Sequence, residues 1–345
     1  MEIFNTHIEY LKKTLESVSD VVITSHYNPD GDAIGSCLAL YSALNNIGIK
    51  VHVIIPNEMP NYLKWLPEAD KICIFSANED ACRALIKNTE LIFCMDYNSL
   101  GRVKLFTEEL KNSTVPRVLI DHHISPENDF DYMFSTTEVS STCELLYNVL
   151  IHSAHLKNIT PQIAECLFVG IMTDTGSFSY SCNRADTFEI TAKLINHGID
   201  VEKIHRKVYD TYSENRMRLL GYCLGPKLKV IPQHATAYIW LTKADLDKYN
   251  YQQGDTEGVV NYALSIENVA MAALFTERDD RIRVSLRSKG DYSVNELARK
   301  YFNGGGHKNA AGGDIFKTMN ETLAWFESLL PAESEALHLS LAEYK

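Results

Sequence analysis

The first half of the chain alternates short apolar runs with segments of helical periodicity. The runs predict strands at Val21–Ser25, Val51–Ile55, Lys71–Phe75, Leu91–Met95 and Arg117–Ile120, and the periodic segments predict helices at 33–47, 79–88, 140–151 and 161–172. Strands that are apolar throughout and alternate with helices are typical of a parallel sheet covered on both faces. Such sheets bind ligands at the carboxyl ends of their strands. We therefore expect functional side chains directly after the strands.

The pattern changes in the second half, where residues 184–224 are helical and strongly polar, as in a connector. Beyond it, strands are predicted at Leu228–Ile231, Ala235–Leu241, Val269–Thr276 and Ile282–Ser288, and helices at 244–249, 256–265, 293–301 and 319–330. The sequence thus predicts an α/β protein with two domains and the active site in the cleft between them. The expected parts are a parallel-sheet domain at residues 1–195, a helical linker at 196–224 and a smaller α/β domain with a mixed or antiparallel sheet at 225–345.

The composition places the chain among globular proteins. Of its 345 residues, 45% are hydrophobic and 23% are charged, which excludes disorder and leaves room for two domains. No apolar stretch reaches the roughly 18 residues of a membrane-spanning helix, and the first residues lack the apolar core of a signal peptide. We therefore expect a cytoplasmic protein without a membrane partner. The eight cysteines include no C-x-x-C pair, so they are predicted to be reduced core residues.

The formal net charge of −12 restricts the partners. Proteins that grip long nucleic acids need a basic surface, because neutralising phosphates supplies most of the affinity. The charge therefore excludes long duplex DNA. A phosphate-bearing ligand would have to be short, or be held by a local basic patch or a metal ion.

Acidic and imidazole side chains follow the predicted strands, and parallel strands would bring them to one edge of the sheet. Buried like charges are costly unless a cation compensates them, and two divalent ions that share a carboxylate do so. Oxygen and imidazole ligands without thiolate favour Mn²⁺, Mg²⁺, Fe²⁺ or Co²⁺ over structural zinc. The residues concerned are His26, Asp30, Asp32, Asp96, Asp121, His122, His123 and Asp174.

The motifs that contain these residues, S-H-Y-N-P-D-G-D-A-I-G-S, M-D, D-H-H and T-D-T-G, resemble those of the DHH phosphoesterase superfamily. The later G-G-G-H-K-N-A-A-G-G resembles the signature of its DHH-associated C-terminal domain. The similarity runs from about residue 20 to 316 and is greatest to the branch of oligoribonucleases (nanoRNases) and 3′-phosphoadenosine-5′-phosphate phosphatases. It implies a two-metal phosphoesterase, with Mn²⁺ as the expected ion and Mg²⁺ or Co²⁺ as alternatives, and it suggests a homodimer.

The resemblance also implies residue roles. Asp121 would orient an imidazole, and His123 would lie near the substrate phosphate. Catalysis would rest on Asp96, Asp121, His122 and His123. The metal ligands would be His26 and Asp30 on one ion, Asp32 and His122 on the other, Asp96 between the two ions, and Asp174 completing the set.

A second group of residues predicts phosphate binding. Residues 281–288 alternate polar and apolar, which on a strand places one set of side chains on a single face; these are Arg281, Arg283, Ser285 and Arg287. Arginine binds phosphate through paired hydrogen bonds, and glycine lets backbone N–H groups approach an anion. Arg102, after the strand that delivers Asp96, is a further candidate for phosphate contact. The proposed substrate-binding residues are Arg102, His123, Arg283, Ser285, Arg287, Gly305, Gly306 and His307.

Several functions are compatible with this site. Two metal ions and a phosphate pocket suit a hydrolase of RNAs of two to five nucleotides, or of a nucleotide bisphosphate. Linear dinucleotides derived from cyclic di-AMP, cyclic dinucleotides and polyphosphate are alternative substrates, and pyrophosphate ranks lower. A nucleotide-sensing module without turnover would be expected to have lost a metal ligand, and none is missing.

Overall fold

The computed structural model describes residues 4–153 and 156–344. The chain divides into two compact units, an N-terminal unit at Met1–Thr211 and a C-terminal unit at Tyr212–Lys345. The division falls inside the segment 196–224.

The N-terminal unit is built on a six-stranded sheet in which every pairing is parallel. Its strands are β1 (Asp20–Ser25), β2 (Lys50–Ile55), β3 (Cys73–Ile74), β4 (Leu91–Met95), β5 (Arg117–Asp121) and β6 (Tyr132–Ser135). Its helices are α1 (Asn5–Leu15), α2 (Gly31–Asn45), α3 (Glu79–Asn88), α4 (Thr107–Asn112), α5 (Thr142–His152), α6 (Pro161–Asp174), α7 (Ala185–Asn196) and α8 (Val201–Tyr209). The strand order is β3-β2-β1-β4-β5-β6, so all carboxyl ends lie at one edge. The predicted parallel sheet is confirmed.

Both faces of this sheet are buried. On β1, Val21 and Ile23 belong to one hydrophobic cluster, whereas Val22 belongs to the cluster on the opposite face. Alternate side chains of a strand point to opposite faces, which explains why an unbroken apolar run is needed here. On the first face, α2 packs against α5 and α6. Gly35 on α2 and Gly170 on α6 lie at this contact, where an added Cβ would overlap neighbouring atoms.

The C-terminal unit contains a second six-stranded sheet, of order β11-β12-β10-β9-β8-β7. Its strands are β7 (Leu228–Ile231), β8 (Thr236–Leu241), β9 (Met271–Glu277), β10 (Ile282–Ser288), β11 (Gly305–Gly306) and β12 (Ala310–Ile315). Its helices are α9 (Glu214–Leu224), α10 (Lys243–Lys248), α11 (Val259–Leu264), α12 (Val294–Tyr301) and α13 (Met319–Tyr344). The β8–β9 pairing is parallel and the others are antiparallel, so the sheet is mixed.

Several elements differ from the sequence prediction, and three of them are instructive. Strands β6 and β12 were not predicted, because YMFS is short and AAGGDI is rich in glycine, a residue that weakens strand signals. Helix α13 was predicted to end at 330, but it continues through Pro331 to Tyr344. Leu337 and Leu341 are buried beyond the proline, and their packing compensates for the lost hydrogen bond. No helix within the described ranges is long and apolar enough to cross a membrane.

An ion pair in the C-terminal unit gives a test of stability. Asp245 accepts hydrogen bonds from the Thr242 hydroxyl and backbone N–H at the start of α10, and its carboxylate lies 2.6 Å from Lys227 Nζ. Burial raises the pKa of Asp245, but the bonds from Lys227, Thr242 and Tyr222 outweigh burial and lower the pKa from 3.8 to about 2. The folded state therefore favours the ionised carboxylate, whose stabilisation is complete above about pH 4 and is lost as the pH falls toward 2.

We expect Asp245→Asn to lower the free energy of unfolding by about 2 kcal/mol at pH 7. The difference from wild type should shrink as the pH approaches 2. Urea unfolding of both proteins between pH 7 and pH 2 measures this difference in the free energy of unfolding. Asp247→Asn, at an exposed position of the same helix, is the control and should have little effect. An equal loss in both variants, or a difference independent of pH, would contradict this assignment.

Candidate metal centre

The carboxyl edge of the N-terminal sheet carries the predicted ligands. His26 follows β1 and Asp96 follows β4, whereas His122 follows β5. Asp174 is the last residue of α6. The first three come directly after strands and Asp174 ends a helix, so one sheet edge and one helix end supply these side chains.

The loop between β1 and α2 places two further carboxylates. Asp30 is the N-cap of α2, and its Oδ1 accepts hydrogen bonds from the N–H groups of Asp32 and Ala33, at 3.1 and 3.0 Å. This bonding fixes the Asp30 side chain at the helix start. Asp32 lies in the first turn of α2 and is 1% exposed. Asp30 faces His26 and Asp32 faces His122, so one turn supplies carboxylates to two different imidazoles.

His26, Asp30 and Asp96 form the first group of donor atoms. His26 Nε2 lies 3.3 Å from Asp96 Oδ2 and 3.9 Å from Asp30 Oδ2. The Nδ1 atom of His26 is 3.1 Å from the Tyr27 carbonyl oxygen, so Nδ1 carries the proton and donates. This bond would keep the proton on Nδ1 when a cation is bound, which would leave the Nε2 lone pair for the cation, as a metal ligand requires.

Asp32, His122 and Asp174 form the second group. His122 Nε2 lies 3.4 Å from Asp174 Oδ2 and 3.8 Å from Asp32 Oδ2. In each group the donor atoms lie within 4.8 Å of one another. Each group could hold one cation.

Asp96 connects the two groups. Its Oδ2 faces His26, whereas its Oδ1 lies 3.6 Å from His122 Nε2. Asp96 is 2% exposed and has a φ of 63°, in the left-handed region that non-glycine residues rarely adopt. Strained backbone of this kind is concentrated at functional sites. A carboxylate with one oxygen toward each donor group has the arrangement of a bridging ligand.

In the absence of a cation, the buried carboxylates of the site repel one another. Burial, together with Asp96, Asp174 and Asp30, raises the pKa of Asp32 well above its ordinary value. Burial also acts to raise the pKa of Asp96, but the hydrogen bond with His26 and the nearby imidazoles hold that pKa below its usual range. Carboxylates packed at this density repel one another, and divalent cations relieve the repulsion.

The donor set fits hard or intermediate divalent ions. It consists of carboxylate oxygens and imidazole nitrogens, whereas the nearby Cys143 sulfur contacts the backbone carbonyl of Asp32 instead. Such ligands suit Mn²⁺, Mg²⁺ or Co²⁺, and the lack of thiolate disfavours a structural zinc site. The chemistry of the residues therefore fits a pair of divalent ions.

Asp121 and His123 form a pair beside the two groups. Asp121 Oδ1 is 2.7 Å from His123 Nδ1, and its Oδ2 accepts the His123 backbone N–H at 3.1 Å. Asp121 is fully buried. Asp121 Oδ1 therefore orients the His123 ring and Oδ2 holds its backbone; the ring Nδ1 lies 3.8 Å from Asp96 Oδ1. His123 is the imidazole that Asp121 orients.

The start of α5 contributes two residues that the sequence analysis missed. The backbone N–H groups of Thr142 and Cys143 donate to Asp32 Oδ2 and Oδ1, at 2.7 and 2.8 Å. The Thr142 hydroxyl donates to Asp96 Oδ1 at 2.9 Å. Unpaired N–H groups at a helix start favour negative charge. Thr142 thus holds one carboxylate of the second group and the shared carboxylate in place.

Replacing Thr142 by valine tests this support. Valine keeps the shape and the backbone N–H but loses the hydroxyl that donates to Asp96. We expect the affinity for Mn²⁺ to fall roughly 10- to 100-fold, as is common for partners of metal ligands. Thr142→Ser retains the hydroxyl and should stay close to wild type. Calorimetric titration with Mn²⁺ measures both, and equal affinities for Thr142→Val and wild type would contradict the assigned role.

Arg102 lies in a 3₁₀ turn, Leu100–Val103, after β4. Its backbone carbonyl accepts the Tyr27 N–H at 2.8 Å, which ties this turn to the loop that follows β1. Burial and the Arg102 charge together lower the pKa of His123. Arg102 therefore lies near the donor groups.

The predicted phosphate-binding residues of the C-terminal unit lie on neighbouring strands. Ile282, Val284 and Leu286 of β10 are buried, whereas the alternate residues are partly or fully exposed. These alternate residues are Arg283, Ser285 and Arg287. Opposite Ser285 and Arg287, β12 presents the small residues Gly312 and Ala310, whereas Arg283 pairs with Asp314.

Gly305 and Gly306 form the two-residue strand β11, which pairs with β12. Gly306 has a φ of 146°, and an added Cβ would lie 2.5 Å from the Ala310 carbonyl oxygen. His307 begins the turn that follows and exchanges backbone hydrogen bonds with Ala310. Close strand approach thus accounts for glycine at 306.

Comparisons with known proteins identify the family. Residues 20–171 match the DHH family, N-terminal domain, and residues 233–329 match the DHHA1 domain. The chain is similar to the crystal structure of an exopolyphosphatase-related protein from Bacteroides fragilis, with 40% identity and a TM-score of 0.91 over 96% of this chain and 97% of that one. The chain belongs to the DHH family, as its motifs indicated.

Two further relatives are more distant. The Bacillus subtilis (strain 168) protein named bifunctional oligoribonuclease and PAP phosphatase NrnA is 26% identical over 307 residues, which are 89% of this chain and 92% of the relative. RecJ of Thermus thermophilus, solved in complex with Mn²⁺, is 13% identical with a TM-score of 0.54, over 98% of this chain and 55% of RecJ. The RecJ similarity establishes a shared fold.

Proposed function

We propose that the protein is a metal-dependent hydrolase of phosphoester bonds in short nucleotides, either RNAs of two to five nucleotides or 3′-phosphoadenosine 5′-phosphate. The observation that carries this proposal is Asp96, whose two oxygens face two separate donor groups. The Bacillus relative, which is named as an oligoribonuclease and PAP phosphatase, supports the substrate class.

The proposed ligands fall into two sets, one for each metal ion. His26 and Asp30 would hold one ion, Asp32, His122 and Asp174 the other, and Asp96 would contact both. Bound divalent ions supply a water molecule of lowered pKa and neutralise charge on the phosphate oxygens. The chain fixes the positions of the ligands through the N-cap bonds of Asp30 and the α5 bonds to Asp32. Asp121 holds the His123 ring, which we propose contacts the substrate phosphate.

Recognition of the nucleotide is assigned to the C-terminal unit. Arg283 is exposed, and no hydrogen bond or ion pair of its side chain is seen within residues 4–153 and 156–344. Arg287 lies two positions beyond Ser285 on the same face of β10. Two cationic side chains on one face, in a protein of net charge −12, favour a short ligand that carries a phosphate.

Polyphosphate hydrolysis is a second candidate function. It is favoured by the Bacteroides relative, which is 40% identical and is described as an exopolyphosphatase-related protein. Polyphosphate offers neither a base nor a ribose, so it tests whether the site requires a nucleoside. The same ligand groups would serve this reaction.

Parallel kinetics with Mn²⁺ on three substrates test the proposal: a 5′-phosphorylated dinucleotide, 3′-phosphoadenosine 5′-phosphate and polyphosphate. We expect kcat/KM for at least one nucleotide to exceed that for polyphosphate, and EDTA to abolish turnover. Preference for polyphosphate would support the second candidate. If none of the three substrates is hydrolysed, or if activity survives EDTA, the proposal of a metal-dependent hydrolase is overturned.

Replacing Arg287 by alanine should raise KM for the dinucleotide roughly 10-fold, the loss of a charge-assisted phosphate contact worth about 1.5 kcal/mol. Turnover of a small generic phosphodiester should be unaffected. Arg281→Ala is the matched control, because the Arg281 guanidinium is already paired with Asp280 and Asp314. Equal losses on both substrates, or in both variants, would argue against recognition by Arg287.

A further inference from the structure

Two cysteines outside the metal centre have their sulfur atoms in contact. Cys73 lies on β3 and Cys82 lies in α3, and their Sγ atoms are 2.9 Å apart. A disulfide bond is about 2.05 Å long, so closure requires an approach of only about 0.9 Å between the two atoms. Both residues are free thiols in the structure.

The two thiols differ in accessibility. Cys73 is partly exposed, on the strand at the edge of the N-terminal sheet, whereas Cys82 is buried in the cluster beneath α3. Burial and the neighbouring Cys73 raise the pKa of Cys82 to about 12, which keeps it protonated at neutral pH. An oxidant from solution therefore reaches Cys73 first, and Cys82 is placed to react second.

We propose that Cys73 and Cys82 are a reactive dithiol that low-molecular-weight disulfides, such as oxidised glutathione, convert to an intramolecular disulfide. The Cys73 thiolate attacks one sulfur of the oxidant, forms a mixed disulfide and releases one thiol. Cys82 then loses its proton and attacks the Cys73 sulfur, which forms the Cys73–Cys82 bond and releases the second thiol. Two protein thiols and one oxidant give one protein disulfide and two small thiols.

The bond would join the edge strand to the helix that follows it. Within the described residues, strand β3 pairs with β2 alone, and a short 3₁₀ turn, Phe75–Ala77, separates it from α3. A cross-link here restricts the unfolded chain, and the thermal midpoint should rise by roughly 4–8 °C on oxidation. Dithiothreitol should reverse the shift.

Peptide mass spectrometry tests the proposal on the full chain. Trypsin cleavage after Lys71 and Arg83 releases one peptide, residues 72–83, that contains both cysteines. After treatment with oxidised glutathione and alkylation of residual thiols, the wild-type peptide should lack two hydrogen atoms and carry no adduct. In Cys82→Ser, the same peptide should retain one glutathione on Cys73.

Cys73→Ser is the matched control, in which buried Cys82 should be alkylated only after unfolding. A wild-type peptide that keeps two alkylated thiols would overturn the proposal. A stable glutathione adduct on wild-type Cys73 would also overturn it, since Cys82 would then have failed to displace it. Thermal unfolding of each variant confirms that it is folded before treatment.

Discussion

Replacing Asp96 by alanine is expected to lower kcat by roughly three to four orders of magnitude while the protein stays folded. Asp96 is the carboxylate that both donor groups share, through Oδ2 toward His26 and Oδ1 toward His122. Its loss removes a ligand from each group at once. The other carboxylates do not compensate, because Asp30 faces the first group and Asp174 the second.

The experiment measures kcat at saturating Mn²⁺ and substrate, with Asp80→Ala as a control at an exposed acidic position. Mn²⁺ affinity is measured in parallel and should fall for Asp96→Ala alone. Turnover near the wild-type value in Asp96→Ala would refute the shared-ligand arrangement. If the Mn²⁺ affinity of Asp96→Ala fell but its kcat did not, the bound ions would not take part in the reaction.

The second large effect is expected from Gly170→Ala. Gly170 lies inside α6, and an added Cβ would overlap the Cys143 sulfur and lie 2.8 Å from Asp32 Oδ1. Both neighbours are buried and belong to the contact between α5 and α2, so neither can move freely. Overpacking of this kind costs about 1–3 kcal/mol, and we expect a loss near the upper end.

Because the added Cβ would displace the Asp32 carboxylate, Gly170→Ala should also weaken Mn²⁺ binding. Gly221→Ala is the matched control: Gly221 also lies within a helix, but among the described residues no atom lies within 4 Å of an added Cβ. That variant should be unchanged or more stable by up to about 1 kcal/mol. Urea unfolding and Mn²⁺ titration of both variants distinguish them, and equal behaviour would contradict the packing described for α6.

Much of the site could be predicted because the ligands are local consequences of the strand pattern. His26, Asp96 and His122 each follow a buried strand, and parallel strands bring such positions to one edge. The strand pattern alone, with no distances known, therefore indicated that these residues lie close together. It also indicated an α/β chain with a parallel sheet and a second, mixed sheet.

The support from α5 could not be predicted in the same way. Thr142 and Cys143 act on Asp32 through backbone N–H groups, which every residue except proline carries. A signal for the helix start was present, because Ser141 and Glu144 have the spacing of a capping box. That spacing locates the unpaired N–H groups, but only the packing of α5 against α2 shows that they meet Asp32.

Side-chain contacts that depend on tertiary packing also could not be predicted from sequence patterns. Glu144 does not bond back to Ser141; its carboxylate accepts hydrogen bonds from Ser140 and from Thr187 of α7. The contact of Cys73 with Cys82 has no C-x-x-C signature, and both were expected to be ordinary core residues. Such pairings depend on how helices and strands pack, which periodicity does not encode.

Electron paramagnetic resonance of the protein loaded with Mn²⁺ tests the central claim most directly. The account predicts two ions per chain, with the spectrum of a magnetically coupled pair, because a shared carboxylate holds such ions about 3.5–4 Å apart. The coupling should disappear in Asp96→Ala. Saturation at one ion per chain, or two ions with the spectrum of isolated Mn²⁺, would contradict the account.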